Sequence, residues 1–220
     1  MKGLCILGAG GTTKDLLDLI EWKNRETSSE DRWRCLGILD DDRALHGREY
    51  AGVPVLGGLA DATSLDADIC FAFAIGSPRT VGKRKMIFER LALDRRRFPS
   101  FIHPKAVVEK GAAIGFGTII FPGVVVSGSA TLGPFSILLA NSVVNHDAVL
   151  GEFVCLASGV CVSGDVAIGD GVYIGANASL RDGVRIGEDT LIGLGSVVVS
   201  SIPSGCTAYG VPARIRDGSG

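Results

Sequence analysis

The sequence predicts two joined units: an α/β domain built on a parallel sheet over residues 1–99, and a parallel β-helix over 100–205, with 206–220 as a C-terminal tail. Three observations lead there. Up to about Pro99, short apolar runs alternate with amphipathic stretches, the pattern of βαβ units. From Ile102 the apolar period becomes six and holds for seventeen positions without an insertion. Glycine is abundant, 31 residues against 9 phenylalanines, as suits a backbone that turns often.

In the first unit, GLCILG (3–8) reads as a buried strand. TTKDLLDLIEW (12–22) follows with helical spacing, and Thr12 or Thr13 is placed to cap it. CLGILDDD (35–42) and ADICFAFAIG (67–76) read as further strands, and PRTVGKRKMIFERLAL (78–93) as a second helix opened by Pro78. The strands are almost continuously apolar because a parallel sheet is covered on both faces.

The second unit is set by its register. Stepping by six from Ile102 through Val108, Ile114 and Ile120 to Val198, every residue is Ile, Leu or Val. Four places after each stands a compact residue, from Ala106 and Ala112 through to Ser196. Three hexads make one 18-residue triangular coil, so seventeen hexads give nearly six coils. The aliphatic residues fill the inside, and Gly115, Gly133, Gly151, Gly169, Gly175, Gly187 and Gly193 are expected at the tight corners.

The chain has three histidines, His46, His103 and His146. His146 lies two residues after inward Val144 and two before inward Ala148, so it points outward. Residues 18 apart stack, which puts Gly128 below it and Gly164 above. An imidazole in a notch cleared by two glycines, with bare N–H groups and Asp147 beside it, suits a general base next to an oxyanion donor. His103, before Pro104 at the junction of the units, is either a hinge or faces a substrate that bridges them. His46 receives no role.

At the other end, GAGGTT (8–13) is either a tight strand-to-helix turn or a ligand loop. The dinucleotide spacing G-x-G-x-x-G fails at Thr13, yet Asp40 and Asp41 end the second strand where a ribose or base would lie. A net charge of −2 gives no reason to expect nucleic acid or an anionic membrane. No run approaches the roughly 20 apolar residues of a membrane span, and MKGLCILGAG is too short for a signal core. Six cysteines without a C-x-x-C pair read as reduced thiols. The expectation is a soluble, cytoplasmic protein. Outward Phe121, Leu139 and Val125 suggest apolar faces of a homotrimer.

NHD at 145–147, LGEF at 150–153 and YGVPARI at 209–215 resemble the left-handed β-helix acyltransferases built on hexapeptide repeats. With the preceding α/β unit, nearly the whole chain resembles the bacterial sugar acetyltransferases, which include sialic acid O-acetyltransferases and N-acetyltransferases of nucleotide-linked 4-amino sugars. That resemblance implies a Rossmann-like nucleotide-sugar domain, and a trimer with acetyl-CoA between neighbouring β-helices. It implies His146 as base, Asp147 raising its basicity, and the Gly164 N–H as acetyl-oxygen donor. Cys155, Ala176 and Leu194 would line the acetyl-CoA cleft. Gly10, Gly11 and Thr12 would form the sugar-nucleotide loop, with Asp40 and Asp41 at the nucleoside and Gly76 after the third strand. Some members carry a histidine where Thr12 stands.

The implied activity is acetyl-CoA-dependent N-acetylation of the amine of a UDP- or GDP-linked 4-amino sugar, in the making of bacterial glycans or polysaccharides. O-acetylation of sialic acid or another sugar is the rival within the class. A zinc hydratase on a similar β-helix needs three converging histidines, and only His103 and His146 fall in the repeat, so no metal is expected. A non-catalytic trimer that binds sugar nucleotides is the remaining alternative.

Overall fold

The computed structural model describes residues 1–216. The first unit is a five-stranded sheet of β1 (Lys2–Leu7), β2 (Trp33–Leu39), β3 (Glu49–Tyr50), β4 (Val53–Gly57) and β5 (Cys70–Phe73). The order is β3-β4-β2-β1-β5, parallel throughout except for the β3–β4 hairpin at one edge. That hairpin carries little periodic apolar signal, and the sequence reading misses it.

Alternation along β1 sorts the two cores. Leu4 and Ile6 pack with Leu16, Leu19 and Ile20 of α1 (Gly11–Arg25), while Cys5 and Leu7 pack with Phe88 and Leu91 of α2 (Arg84–Leu91). Neither helix starts where the sequence suggests. Gly10 is the N-cap of α1 without a side-chain bond, and the Thr13 hydroxyl donates back to the Gly8 carbonyl from inside the first turn. At the second helix, Pro78 opens only a single 3-10 turn, Pro78–Thr80. Gly82 at φ 68° then breaks the chain before α2 begins.

The second unit is a β-helix whose strands stack in parallel at a spacing of 18 residues, as in Val125↔Val143 and Val143↔Cys161. Its first face runs from Phe101–Ile102 through Ile119–Ile120, Ile137–Leu138, Cys155–Leu156 and Tyr173–Ile174 to Leu191–Ile192. The second face runs from Val107–Val108 to Val197–Val198, and the third from Ala113–Ile114 to Arg185–Ile186. Val126, Leu138, Val144, Leu150, Leu156 and Val162 all point into one core at 1% exposure or less. The compact residues close the corners, and where they carry hydroxyls these find turn carbonyls: Ser136 Oγ donates to Gly133 at 2.8 Å and Ser142 Oγ to Leu139 at 2.9 Å.

The corner glycines do a different job from the one expected. None of Gly115, Gly133, Gly151, Gly169, Gly175, Gly187 and Gly193 has positive φ; that conformation falls two places on, at Gly117, Gly123, Gly159, Gly171, Gly183 and Gly195. At other corners it is held by Phe135, Asn141, Asp147, Phe153, Asp165, Asn177 and Asp189. The expected glycines instead permit close stacking: a Cβ on Gly133 would collide with the Gly151 carbonyl of the next coil.

Residues beyond 205 are not a loose tail. Thr207–Gly210 and Ala213–Arg216 form a hairpin that extends the first face; positions 217–220 of the expected tail lie outside the described residues.

The α/β unit sits on this first face. Phe101, Ile119, Phe121, Ile137 and Cys155 join the α1-side core, and Phe135 and Phe153, stacked at 4.9 Å, join the α2-side core. Buried Arg84 fastens the seam, donating to the carbonyls of Phe153 and Phe135, the latter at 2.9 Å, with its guanidinium over the rings of Phe73 and Phe153. Phe121 and half-buried Leu139 therefore pack against the α/β unit instead of standing free on the face. Val125 stays on the outer side of the second face.

Candidate active site

The strand-to-helix loop after β1 opens into a cavity of about 440 Å³. Gly10, Gly11, Thr12, Asp40 and Gly76 line it, so the structure brings together five of the six residues read as substrate-binding. A Cβ on Gly10 or Gly11 would meet nothing within 4 Å. Packing within the chain does not require glycine there; close approach of a ligand to the backbone would. The amides at the start of α1 provide the positive end that favours an anionic group.

Asp40 builds this loop as well as bordering it. Its carboxylate accepts from the Ala9 N–H at 2.6 Å and from the Asp42 N–H at 2.8 Å. The ring of His46, to which the sequence reading gives no role, holds the Asp40 carbonyl at 2.7 Å through Nε2. Asp41 departs from expectation. It turns away from the cavity, accepting from the Leu59 N–H at 2.9 Å and pairing with Arg90 at 3.0 Å. Adjacent carboxylates on an extended segment point to opposite sides, so only one of them faces the loop.

His146 stands at the corner between the second and third faces, 67% exposed, with Nδ1 3.0 Å from Asp147 Oδ2. That bond holds the Asp147 carboxyl below the usual carboxylate range. Asp147 adopts φ 58° while its N–H donates to Ser129 Oγ at 3.0 Å, so backbone and side chain jointly aim it at the ring. The notch is one-sided. A Cβ on Gly164 would run into the imidazole, lying 2.7 Å from Nε2, whereas Gly128 packs on the Lys110 carbonyl and gives its N–H to Glu109.

The Gly164 N–H is also not a free oxyanion donor, because it donates to Asp182 Oδ1 at 3.0 Å. Asp182 stacks one coil above Gly164 at the 18-residue spacing. The period marks that position, but nothing in the sequence says where its side chain turns.

The residues read as the acetyl-CoA cleft separate. Ala176 and Leu194, the latter 81% exposed, sit at the corner between the first and second faces. Cys155 does not line a cleft: it is 1% exposed in the seam, its Sγ 3.9 Å from the Gly76 carbonyl, and burial pushes the thiol up to about 11 despite nearby Arg84. As the outward residue of a first-face strand, it is covered by the α/β unit.

One geometric relation governs the rest. The α/β unit covers the first face, and the corner that carries His146 is the one opposite that face. His146 and the glycine loop of one chain are therefore on opposite sides of the prism. Among the described residues no group of three metal-ligating side chains converges, and no helix is long and apolar enough to cross a membrane.

Comparisons with known proteins agree with this architecture. Residues 3–91 match the family model described as PglD N-terminal domain, and 165–200 match that of the bacterial transferase hexapeptide (six repeats). The chain is 34% identical over 122 residues to UDP-N-acetylbacillosamine N-acetyltransferase of Bacillus subtilis, a match covering 54% of this chain and 51% of that enzyme. The chain thus matches about half the length of that curated relative. The acetyltransferase domain of PglB from Neisseria gonorrhoeae, solved with acetyl coenzyme A, aligns with a TM-score of 0.81 and 30% identity over 98% of this chain and 99% of that one. PerB from Caulobacter crescentus, solved with CoA and GDP-perosamine, aligns with a TM-score of 0.80 and 28% identity over 99% and 98%. With both units shared at full length, the fold is the α/β unit followed by a left-handed β-helix, and the chain belongs to the hexapeptide-repeat sugar acetyltransferases.

Proposed function

We propose that this protein transfers the acetyl group of acetyl-CoA to the amine of a nucleotide-linked 4-amino sugar, acting as a homotrimer. The observation that carries this reading is the separation just described. A base on one corner and an anion-binding loop on the opposite side serve one reaction only if neighbouring chains supply them to each other. The outer side of the second face supports such contact, with Val107, Val125, Val143, Cys161 and Val197 in one column that is apolar except for Ser179. The corners flanking that face carry His146 on one side and Ala176 and Leu194 on the other. Packing second faces around a threefold axis lines the groove between two chains with both sets. The relatives solved with acetyl coenzyme A or with CoA and GDP-perosamine support the two substrate classes.

In this reading the glycine loop, Gly10 to Thr12, holds the diphosphate, and Asp40 and Gly76 border the nucleoside. His146 accepts the proton of the sugar amine as nitrogen attacks the thioester carbonyl. The C–N bond forms, the C–S bond breaks, and the departing thiolate takes up a proton. Asp147 orients the imidazole and balances the charge it acquires. Gly164 contributes the space that the ring occupies. Acetyl-CoA and sugar nucleotides are both cytoplasmic metabolites, and we place the enzyme there.

The test is thiol release from acetyl-CoA with UDP-, GDP- and dTDP-linked 4-amino sugars, each beside its 4-hydroxy counterpart. Turnover with an amine and none with the hydroxyl is expected. Turnover with the hydroxyl sugar, or with free sialic acid alone, overturns N-acetylation.

A further inference from the structure

We propose that a second cavity, between α1 and the corner joining the first and second faces, binds the pyranose ring of the acceptor, so that α1 takes part in choosing the sugar. This deepens the reading above and rests on it for the acceptor class. The cavity is about 330 Å³ and is walled by Asp15, Asp18 and Trp22 of α1 facing His103, Phe121 and Leu139. The helix residues fall at i, i+3 and i+7, on one side of α1. Asp15 and Leu139 also line the glycine-loop cavity, so the two spaces adjoin.

His103 is the observation that points to a ligand. It is only 4% exposed, and its Nδ1 accepts the Lys105 N–H at 3.0 Å, which leaves the ring proton on Nε2. That N–H has no hydrogen-bond partner among the described residues, and the Trp22 ring packs on the imidazole at 5.8 Å. Burial and neighbouring Lys105 lower the His103 pKa, favouring a neutral ring. The donor is not sealed off, so an acceptor placed in the cavity that His103 lines meets an N–H with no competing partner in the protein. The same ring also borders a shallower groove beside Lys23 and Glu26.

Opposite it, neither Asp15 nor Asp18 has a hydrogen bond or ion pair within the described residues, and burial together with the charge of Asp18 raises the Asp15 carboxyl. Two groups that only accept, one that donates, and a floor of indole, phenyl and leucyl carbon match a pyranose. Its hydroxyls donate to the carboxylates, a ring substituent oxygen accepts from His103, and its C–H face lies on the apolar floor. Asp18, which does not border the glycine-loop cavity, disfavours phosphate here, while the amides of the glycine loop favour it; the ligand is thereby oriented from one cavity into the other.

The experiment uses the full chain with Asp18→Asn and Trp22→Ala, each checked for an unchanged melting temperature and oligomeric state. Acceptor KM is expected to rise about tenfold, the size of one lost hydrogen bond to a charged group. The KM of acetyl-CoA, and the calorimetric Kd of the bare nucleoside diphosphate, stay at wild-type values. Unchanged acceptor KM in both variants overturns the proposal, as does an equal loss for the bare nucleoside diphosphate. Should the wild-type chain acetylate no nucleotide-linked amino sugar, the acceptor reading has failed and the cavity is judged separately. Calorimetry with methyl 4-amino-4,6-dideoxyhexosides then decides: heat that Asp18→Asn removes keeps a pyranose site, and no heat ends it.

Discussion

The glycine-loop cavity and the His146 corner are halves of one proposed site with opposite physical characters. The first is concave and internally braced: Asp40 ties β1 to β2, and His46 ties Asp40 in turn. The second is convex and open, with His146 and Asp147 67% and 57% exposed and only each other and Ser129 to hold them. A general base in bulk water has no fixed position relative to a nucleophile, and proximity is most of what a bisubstrate enzyme supplies. The contrast teaches how the proposed site is divided: a binding cavity built within one chain, and an open histidine corner that a second chain would have to enclose.

The strongest way to break that contrast is to separate the chains. Val143→Asp puts a charge in the middle of the second face, where it faces outward and opens no core cavity. Acetyl transfer is expected to vanish and sedimentation to report a monomer, while calorimetry finds nucleoside diphosphate binding intact. An active monomer would falsify the shared site.

His146→Ala attacks the open half alone. The side chain touches no core residue, so melting temperature and acetyl-CoA binding hold while kcat falls by about 10²–10⁴. A wild-type rate moves the base elsewhere, with His103 next to examine.

Asp40→Ala attacks the braced half. The Ala9 and Asp42 amides lose their shared acceptor; the exposed Asp42 N–H turns to water, while the part-buried Ala9 N–H costs up to about 1–3 kcal/mol where it is left unmatched. The KM of the sugar nucleotide should rise and that of acetyl-CoA should not. Equal changes in both would make the loop mere scaffold.

The mildest effect lies in the seam between the units. Burial holds the Cys155 thiol up at about 11 against an ordinary 9.0, so the folded state keeps the proton that the unfolded chain releases first. The associated stability is complete below pH 9 and is lost as pH rises through the folded value. Cys35, also pushed up to about 11, acts in the same direction. Urea unfolding on either side of pH 9 should show stability falling, with a shallower slope for Cys155→Val.

Legibility differed between the halves for a physical reason. In the β-helix, each residue's neighbours lie 18 positions away along the same chain, so arithmetic on the sequence finds them. The outward placement of His146 and its contact with Gly164 follow from counting. Counting fails where side chains leave that lattice. It suggests Gly128 as a second clearing, although that residue stacks on the coil below, and it cannot see that Asp182 reaches down to occupy the Gly164 amide. In the α/β unit the periods of two and 3.6 reveal strands and helices, but not which strands adjoin. The β3–β4 hairpin, the early break at Gly82 and the role of His46 thus came only with the structure.

By itself, the sequence determined the two folds, the number of coils, the outward histidine and the glycine loop, because each depends on spacings along one strand, helix or coil. The tertiary structure alone decided how the units dock. Arg84 and the phenylalanine cluster seat the α/β domain on the first face, burying Cys155 and Phe121 and leaving the second face bare. That choice depends on contacts between distant segments, such as Arg84 with Phe135 and Phe153, which no local period encodes. It also puts His146 and the glycine loop on opposite sides of one chain.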